Sequence, residues 1–235
     1  MNTYSRTRAT AAVLALACGA AAPVMATGSA VPVPAIRQVV VLGDSLAVSP
    51  SPSRGFPAHL QEMIDRARLP WTVINAGVSG DTTAGGVQRV APLLGPKVGV
   101  LVFALGANDG LRGVPAERVA SNLSTIVRSA QARGVKVLLC GMETLPMRGW
   151  NYLLAFHRVF PTLASQHGVP LVPFLLDGVA LVSEMNGPDG VHPNAAGARR
   201  IAENVWPALE SLLRDGEAGR EEAAAGRAPA VTAAS

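Results

Sequence analysis

This 235-residue chain is poor in cysteine, in aromatic residues and in charge, and each shortage excludes a class of protein. It has two cysteines, aromatic residues make up 4% of it, and charged residues make up 15%. It contains no Cys/His spacing suited to a metal ion and no cluster of basic residues interleaved with aromatics. We therefore expect no Cys/His metal site and no nucleic-acid partner.

The first 30 residues differ in composition from the rest. Two arginines precede an apolar run that is too short to span a bilayer, and small residues then lead to Val24-Met25-Ala26, a suitable cleavage site. This pattern predicts a signal peptide and leader over residues 1–30, export of the mature protein and no stable insertion into a membrane. A disordered Ala-rich leader and lipid attachment at Cys18 are the alternatives. Cleavage leaves Cys140 as the single cysteine, so no internal disulfide can form.

The remaining chain alternates short apolar runs with stretches of helical period. Five runs have the length of buried strands, and they are Val39–Leu42, Thr72–Asn75, Val98–Leu105, Val135–Leu139 and Pro170–Pro173. Helical period marks Phe56–Arg68, Pro115–Arg133, Tyr152–His167 and Asn194–Leu213, and Pro161 is expected to kink or split the third of these. The alternation predicts an α/β domain over residues 31–214, with a parallel sheet covered by helices on both faces. Residues 215–235 are rich in Ala, Gly and Glu and predict a disordered tail.

Each polar motif of this domain follows a predicted strand or leads into the last predicted helix. The motifs are Gly43-Asp44-Ser45, Ser79-Gly80-Asp81-Thr82, Gly106-Ala107-Asn108-Asp109 and Asp189-Gly190-Val191-His192-Pro193. In open parallel sheets, sites form at the carboxyl ends of the strands. We therefore expect these motifs to converge at one edge of the sheet.

Ser45, His192 and Asp189 supply the residue types of a nucleophilic relay. A serine hydroxyl is a poor nucleophile at neutral pH and needs a base, which in turn needs a group that holds its tautomer. His192 would be the base, and Asp189 is close enough in sequence to bond its far ring nitrogen from the same turn. This constellation predicts an ester hydrolase. A helix-capping serine and an ordinary turn aspartate are the alternative roles.

The four blocks together resemble those of the SGNH, or GDSL, hydrolases, from about Val39 to Leu213. The stretches Asn108–Gly113 and Pro173–Leu176 are similar to the bacterial arylesterase, lysophospholipase and thioesterase branch. The resemblance implies a three-layer α/β/α fold with a flavodoxin-like five-stranded parallel sheet flanked by helices. It also implies that the oxyanion hole is formed by the N–H groups of Ser45 and Gly80 and the side-chain amide of Asn108. A tight turn at Gly80 and a turn asparagine at Asn108 are the alternatives.

The wall of the substrate pocket is less well marked. After Gly-Asp-Ser-Leu, many relatives have Thr-Ala-Gly-Tyr, whereas this chain has Ala-Val-Ser-Pro, so a specific substrate preference is not carried over. The segment after the fourth predicted strand contains Leu145, Met147 and Trp150, and we expect these residues to form a wall of the acyl pocket. Apolar side chains there suit an acyl or aryl group.

No metal or other cofactor is expected. Asp44, Asp81 and Asp109 are each adjacent to a proposed site residue, and three carboxylates at strand ends can hold Mg²⁺. Aspartate in such loops more often bonds to its own loop backbone, which is the role we favour.

The sequence therefore predicts an exported serine esterase that acts on a small-molecule or lipid ester through an acyl-enzyme intermediate. A carbohydrate O-deacetylase, a lysophospholipase and a thioesterase would use the same residues. A flavin- or phosphate-binding module is a remote alternative, since the chain lacks the glycine-rich phosphate-binding motifs. An inactive surface-binding module is another. The sequence gives no oligomeric state.

Overall fold

The computed structural model describes residues 37–225. The predicted signal peptide with Cys18, and the last ten residues of the predicted tail, lie outside this range. None of the helices between residues 37 and 225 has the length and apolar character needed to cross a bilayer.

The core of the described region is a five-stranded parallel sheet. Its strands are β1 (Arg37–Gly43), β2 (Trp71–Asn75), β3 (Val98–Ala104), β4 (Lys136–Cys140) and β5 (Leu171–Val172). They lie in the order β2-β1-β3-β4-β5, which is the flavodoxin-like order. All seven residues of β3 are buried, because helices cover both faces of the sheet and leave no polar face for alternation. The predicted fold class is confirmed.

Within residues 37–225, seven α-helices connect and cover the strands. They are α1 (Ser45–Val48), α2 (Phe56–Arg66), α3 (Thr83–Leu93), α4 (Ala107–Arg112), α5 (Ala116–Gln131), α6 (Trp150–His167) and α7 (Ala195–Ala225). Helix α2 packs against α7, whereas α5 packs between α3 and α6. Because crossovers between parallel strands are right-handed, these two groups cover opposite faces of the sheet.

Helix α3 is absent from the sequence-based expectations. Gly85, Gly86 and Pro92 within it read as helix breakers. The structure gives Gly86 a packing role instead, since an added Cβ would lie 2.5 Å from the Leu105 side chain and 3.1 Å from that of Ile126. The missing side chain lets α3 approach the sheet and α5 closely.

Two other expectations differ from the structure. Helix α6 continues through Pro161 as one element, so the predicted split does not occur. Helix α7 extends to Ala225, past the predicted start of a disordered tail at Asp215. Just past that start, Gly216 is buried, and an added Cβ there would lie 3.1 Å from the Trp71 ring and 3.3 Å from the Arg37 guanidinium. A tertiary contact of this kind leaves no periodic signal in the sequence.

Candidate active site

The residues expected to converge do lie at one edge of the sheet. Ser45 is the first residue of α1, directly after β1, and Gly80 lies in the turn between β2 and α3. Asn108 is in α4, directly after β3. Asp189 and His192 lie in the loop that precedes α7. The parallel sheet thus brings together side chains that are far apart in sequence.

Ser45, His192 and Asp189 form a chain of two hydrogen bonds. The Nδ1 atom of His192 lies 2.6 Å from Oδ2 of Asp189, and its Nε2 atom lies 2.9 Å from Oγ of Ser45. An ionised carboxylate only accepts hydrogen bonds, so Nδ1 carries the ring proton and Nε2 is left to accept from the serine hydroxyl. This tautomer is the one in which an imidazole can take a proton from an alcohol.

Hydrogen bonds keep the Asp189 carboxylate charged. The ring of His192 holds the pKa of Asp189 well below its usual range, and the backbone N–H groups of His192 and Val191 act in the same direction. Both N–H groups donate to Oδ1 over 3.0 Å. The side chain is 53% exposed, so donated bonds and not burial set its charge state.

A buried asparagine holds the loop that carries His192. The Asn186 amide donates to the carbonyls of Val179 and Val182 over 2.7 and 2.8 Å. Within the loop, the Gly187 N–H donates to the His192 carbonyl over 2.8 Å. These bonds fix the loop although its outer residues face solvent.

Asp44, directly before Ser45, is buried and caps α1. Its Oδ1 accepts from the Leu46 N–H over 3.0 Å, and its Oδ2 accepts from the Asn108 amide over 3.3 Å. Burial raises the pKa of the Asp44 carboxyl from 3.8 to about 6, and the bonds from Leu46 and Asn108 only partly offset this. The carboxyl therefore joins the first turn of α1 to the Asn108 side chain.

Gly80 occupies a β-turn that only a glycine adopts without strain. The Asp81 N–H donates to the Val78 carbonyl over 3.1 Å, and Gly80 has a φ of +75°. The carbonyl of Gly80 accepts from Nη2 of Arg112 over 3.0 Å. Within residues 37–225 the Gly80 N–H donates to no protein acceptor, so it is available to a ligand.

Arg89, which no sequence motif marks, ties this turn to the sheet. Its Nε donates to Oδ2 of Asp81 over 2.6 Å and its Nη2 to the Gly43 carbonyl over 2.8 Å, while Nη1 donates to the Ala76 carbonyl. One guanidinium thus joins the ends of β1 and β2 to the Gly80 turn. The only sequence signal was an arginine in a helix that was itself not predicted.

The three aspartates considered for a metal all have protein donors as partners. Besides the contacts of Asp44 and Asp81, the buried Asp109 accepts from the N–H and hydroxyl of Thr83 over 2.9 and 2.7 Å. Asp44 and Asp81 accept from the backbone of their own loops, at Leu46 and Thr82, as expected, whereas Asp109 instead joins α4 to the start of α3. In the part of the chain that the structure describes, no three His, Cys, Asp or Glu side chains are grouped so as to hold a metal ion.

A cavity of about 450 Å³ opens beside the hydrogen-bonded chain. Leu46 and Val191, the neighbours of Ser45 and His192, lie in its wall. Of the three predicted wall residues, Leu145 lines the cavity, whereas Met147 and Trp150 lie outside its lining. The other apolar lining residues were not predicted, and they are Ala107, Leu111, Met142, Phe174, Leu176, Ala180 and Leu181. They come from the three connections that follow β3, β4 and β5, which no single motif marks.

Comparison with known proteins gives consistent matches. Residues 41–200 match the GDSL-like Lipase/Acylhydrolase family. The chain is 42% identical to Esterase TesA of Pseudomonas aeruginosa over 182 residues, which cover 76% of this chain and 90% of that protein. It is 36% identical to an arylesterase of Vibrio mimicus over 182 residues, which cover 76% and 91% of the two chains.

Solved structures agree with these matches. The crystal structure of TesA is similar to this chain with a TM-score of 0.71 and 41% identity, covering 75% of this chain and 99% of that one. The psychrotrophic esterase EstA from Pseudoalteromonas sp., inhibited by monoethylphosphonate, has a TM-score of 0.70 and 27% identity, covering 76% and 99% of the two chains.

The raised pKa of Asp44 predicts a pH-dependent stability. Between pH 3.8 and about 6 the folded protein keeps a proton on Asp44 that the unfolded chain releases, so the free energy of unfolding falls as the pH rises through this window. Asp44→Asn removes this titration, so the fall in the free energy of unfolding across this window should be smaller by up to about 3 kcal/mol. Urea unfolding at several pH values measures this free energy.

The exposed Asp177→Asn is the matched control and should keep the parent's slope. An unchanged slope in Asp44→Asn would mean that burial does not raise the pKa of this carboxyl.

Proposed function

The chain belongs to the GDSL-like lipase/acylhydrolase family and is a serine esterase, as its motifs predicted, and from that premise we propose that Ser45, His192 and Asp189 are its catalytic residues. The observation that carries this proposal is the pair of hydrogen bonds, 2.6 and 2.9 Å long, that joins the three side chains. Asp189 remains ionised, so it stabilises the imidazolium that forms when His192 takes a proton.

The reaction follows from these contacts. Ser45 gives its proton to Nε2 of His192 while Oγ attacks the ester carbonyl carbon. The tetrahedral intermediate then collapses, and His192 gives the proton to the departing alcohol. Water attacks the acyl-enzyme with His192 again as the base, and the acid is released as Oγ regains its proton. No cofactor enters any of these steps.

Three donors would stabilise the oxyanion of the tetrahedral intermediates. They are the N–H groups of Ser45 and Gly80 and the amide of Asn108. The support is that the Gly80 N–H is unengaged within the described residues and that Asn108 lies beside the residue preceding Ser45. An amide has two N–H bonds, so Asn108 can keep its contact with Asp44 and donate a second bond to the oxyanion.

The cavity favours an apolar acyl or aryl group. Most of its lining is apolar, with Leu111, Leu145 and Phe174 among the side chains, and it opens beside Ser45. This supports aryl or short- to medium-chain acyl esters over acetylated carbohydrate, which would need more polar partners. A lysophospholipase or thioesterase activity would use the same cavity. We propose that Met147 and Trp150 contact the outer part of a substrate at its mouth.

We also propose that the protein is exported after cleavage of its leader. The support is the order of basic residues, apolar run and small residues in the sequence. Expressed from its own start in a bacterium, the exported protein should begin at Thr27 or Val31, as read by N-terminal sequencing. A cytoplasmic product that still begins at Met1 would contradict export, and a lipid-modified Cys18 would favour anchoring instead.

Replacing the nucleophile tests the central proposal. Ser45→Ala should lower kcat for p-nitrophenyl butyrate at least about 1000-fold and abolish covalent labelling by a fluorophosphonate. The melting temperature should change little, because the substitution removes one hydroxyl and opens no apolar cavity. The exposed Ser53→Ala, in the following loop, should keep both activity and labelling. Hydrolysis by Ser45→Ala at the parent's rate would exclude this serine.

The oxyanion role of Asn108 has a distinct kinetic signature. Asn108→Ala should lower kcat on the order of 100-fold or more with little change in KM, because its donor acts on the transition state. The exposed Asn151→Ala is the control. An effect confined to KM would remove Asn108 from this role.

A further inference from the structure

Exposed apolar side chains occur in the cavity lining and in the chain segment that follows Leu145. Six large ones have between 45% and 80% of their surface exposed, and we call them the apolar rim: Leu111, Leu145, Met147, Trp150, Leu181 and Val191. Four of these also line the cavity. Met147 lies in the turn that follows Leu145, and Trp150 is the first residue of α6. The rim therefore consists of four residues of the cavity wall and two exposed residues that follow one of them in the chain.

This concentration is unusual for a surface. In the described part of the chain, only Ile74, Val78 and Leu154 are comparably exposed outside the rim. Single exposed apolar residues are normal, but a contiguous group marks an interaction site. Met147, Trp150 and Leu181 each have 70% or more of their surface in solvent, so covering them would gain free energy from burial.

Two arginines flank the apolar rim. Nη2 of Arg148 donates to the Leu111 carbonyl over 3.2 Å, and Nη2 of Arg112 donates to the Gly80 carbonyl. Neither forms an ion pair with a carboxylate between residues 37 and 225. Glu143, which lines the cavity, pairs with His157, and Asp189 pairs with His192. Both guanidinium groups therefore have donors left for an anion.

We propose that the apolar rim docks this protein on the surface of an anionic phospholipid aggregate. Side chains such as Met147 and Trp150 enter the boundary between head groups and acyl chains, and Arg112 and Arg148 face lipid phosphates. This inference rests on the proposed function in one respect: the docked rim would let a lipid ester pass from the aggregate to Ser45 through the apolar cavity.

Charge favours this occupant over a second copy of the chain. A two-fold dimer formed through the rim would bring Arg112 and Arg148 of both copies to one interface, and it would close the cavity mouth. An anionic lipid surface supplies the opposite charge and the apolar layer at once.

Vesicle binding of the Ser45→Ala protein tests docking without turnover. The full chain is sedimented with vesicles of pure phosphatidylglycerol or pure phosphatidylcholine. We expect binding to phosphatidylglycerol, weaker binding to phosphatidylcholine, and a blue shift of Trp150 emission that is lost in Trp150→Ser. Added salt should weaken the binding, because the arginine contribution is screened.

Single substitutions in the same background locate the contact. Trp150→Ser should lower the partition coefficient about tenfold or more, and Arg148→Gln about fivefold. Two matched controls should bind as the parent does. Ile74→Thr changes an exposed apolar residue on the edge strand β2, and Arg128→Gln changes an exposed cation in the last turn of α5. Circular dichroism verifies that each variant is folded.

Three results would overturn the inference. They are equal binding to both lipids, binding that Trp150→Ser and Arg148→Gln leave unchanged, and a rim-dependent dimer seen by light scattering without vesicle binding. In the Ser45-containing protein, Arg148→Gln should still hydrolyse soluble p-nitrophenyl acetate at the parent's rate. A parent that binds vesicles but hydrolyses no ester would refute the proposed function and leave docking standing.

Discussion

The guanidinium of Arg89 is the contact on which the geometry of the site depends. It donates to the carbonyls that end β1 and precede the Gly80 turn, and it pairs with Asp81 in that turn. The Gly43 carbonyl also accepts from the Val78 N–H over 3.1 Å. The planar guanidinium has several donors, so it bonds to both carbonyls and to the carboxylate together. Ser45 follows the first of these strands, so this side chain, together with the backbone bond from Val78 to Gly43, holds Ser45 relative to the Gly80 turn.

Two carboxylates at the site differ in charge behaviour because their surroundings differ. Asp189 is half exposed, yet three donated hydrogen bonds keep it ionised beside His192. Asp44 is buried with two donors, and desolvation outweighs them. The exposed group is therefore suited to balancing a transient positive charge, while the buried one is suited to holding α1 and Asn108 in position.

Much of the fold and the core of the site could be predicted from the sequence, because both leave local signals. Apolar runs marked the five strands, and the motifs around Ser45 and His192 marked the strand ends. Features that depend on contacts between distant segments could not be predicted. In the sequence, Gly86 indicates a helix break, but in the structure it packs against Leu105 and Ile126. Gly216 likewise indicates a flexible tail in the sequence but lies against Trp71 in the structure. Arg89 was missed for the same reason, since its partners lie in three other segments.

The cavity lining and the hydrogen-bonded relay are contributed by different side chains. Leu111, Phe174 and Leu181 line the cavity, whereas Ser45, His192 and Asp189 form the relay, although Leu111 shares α4 with Asn108, and Phe174 and Leu181 lie in the connection that also carries Asp189 and His192. Substitutions at the lining positions can therefore reshape selectivity while the reactive groups stay intact. Because binding and reaction depend on different side chains, related proteins can differ in ester preference while they share one fold.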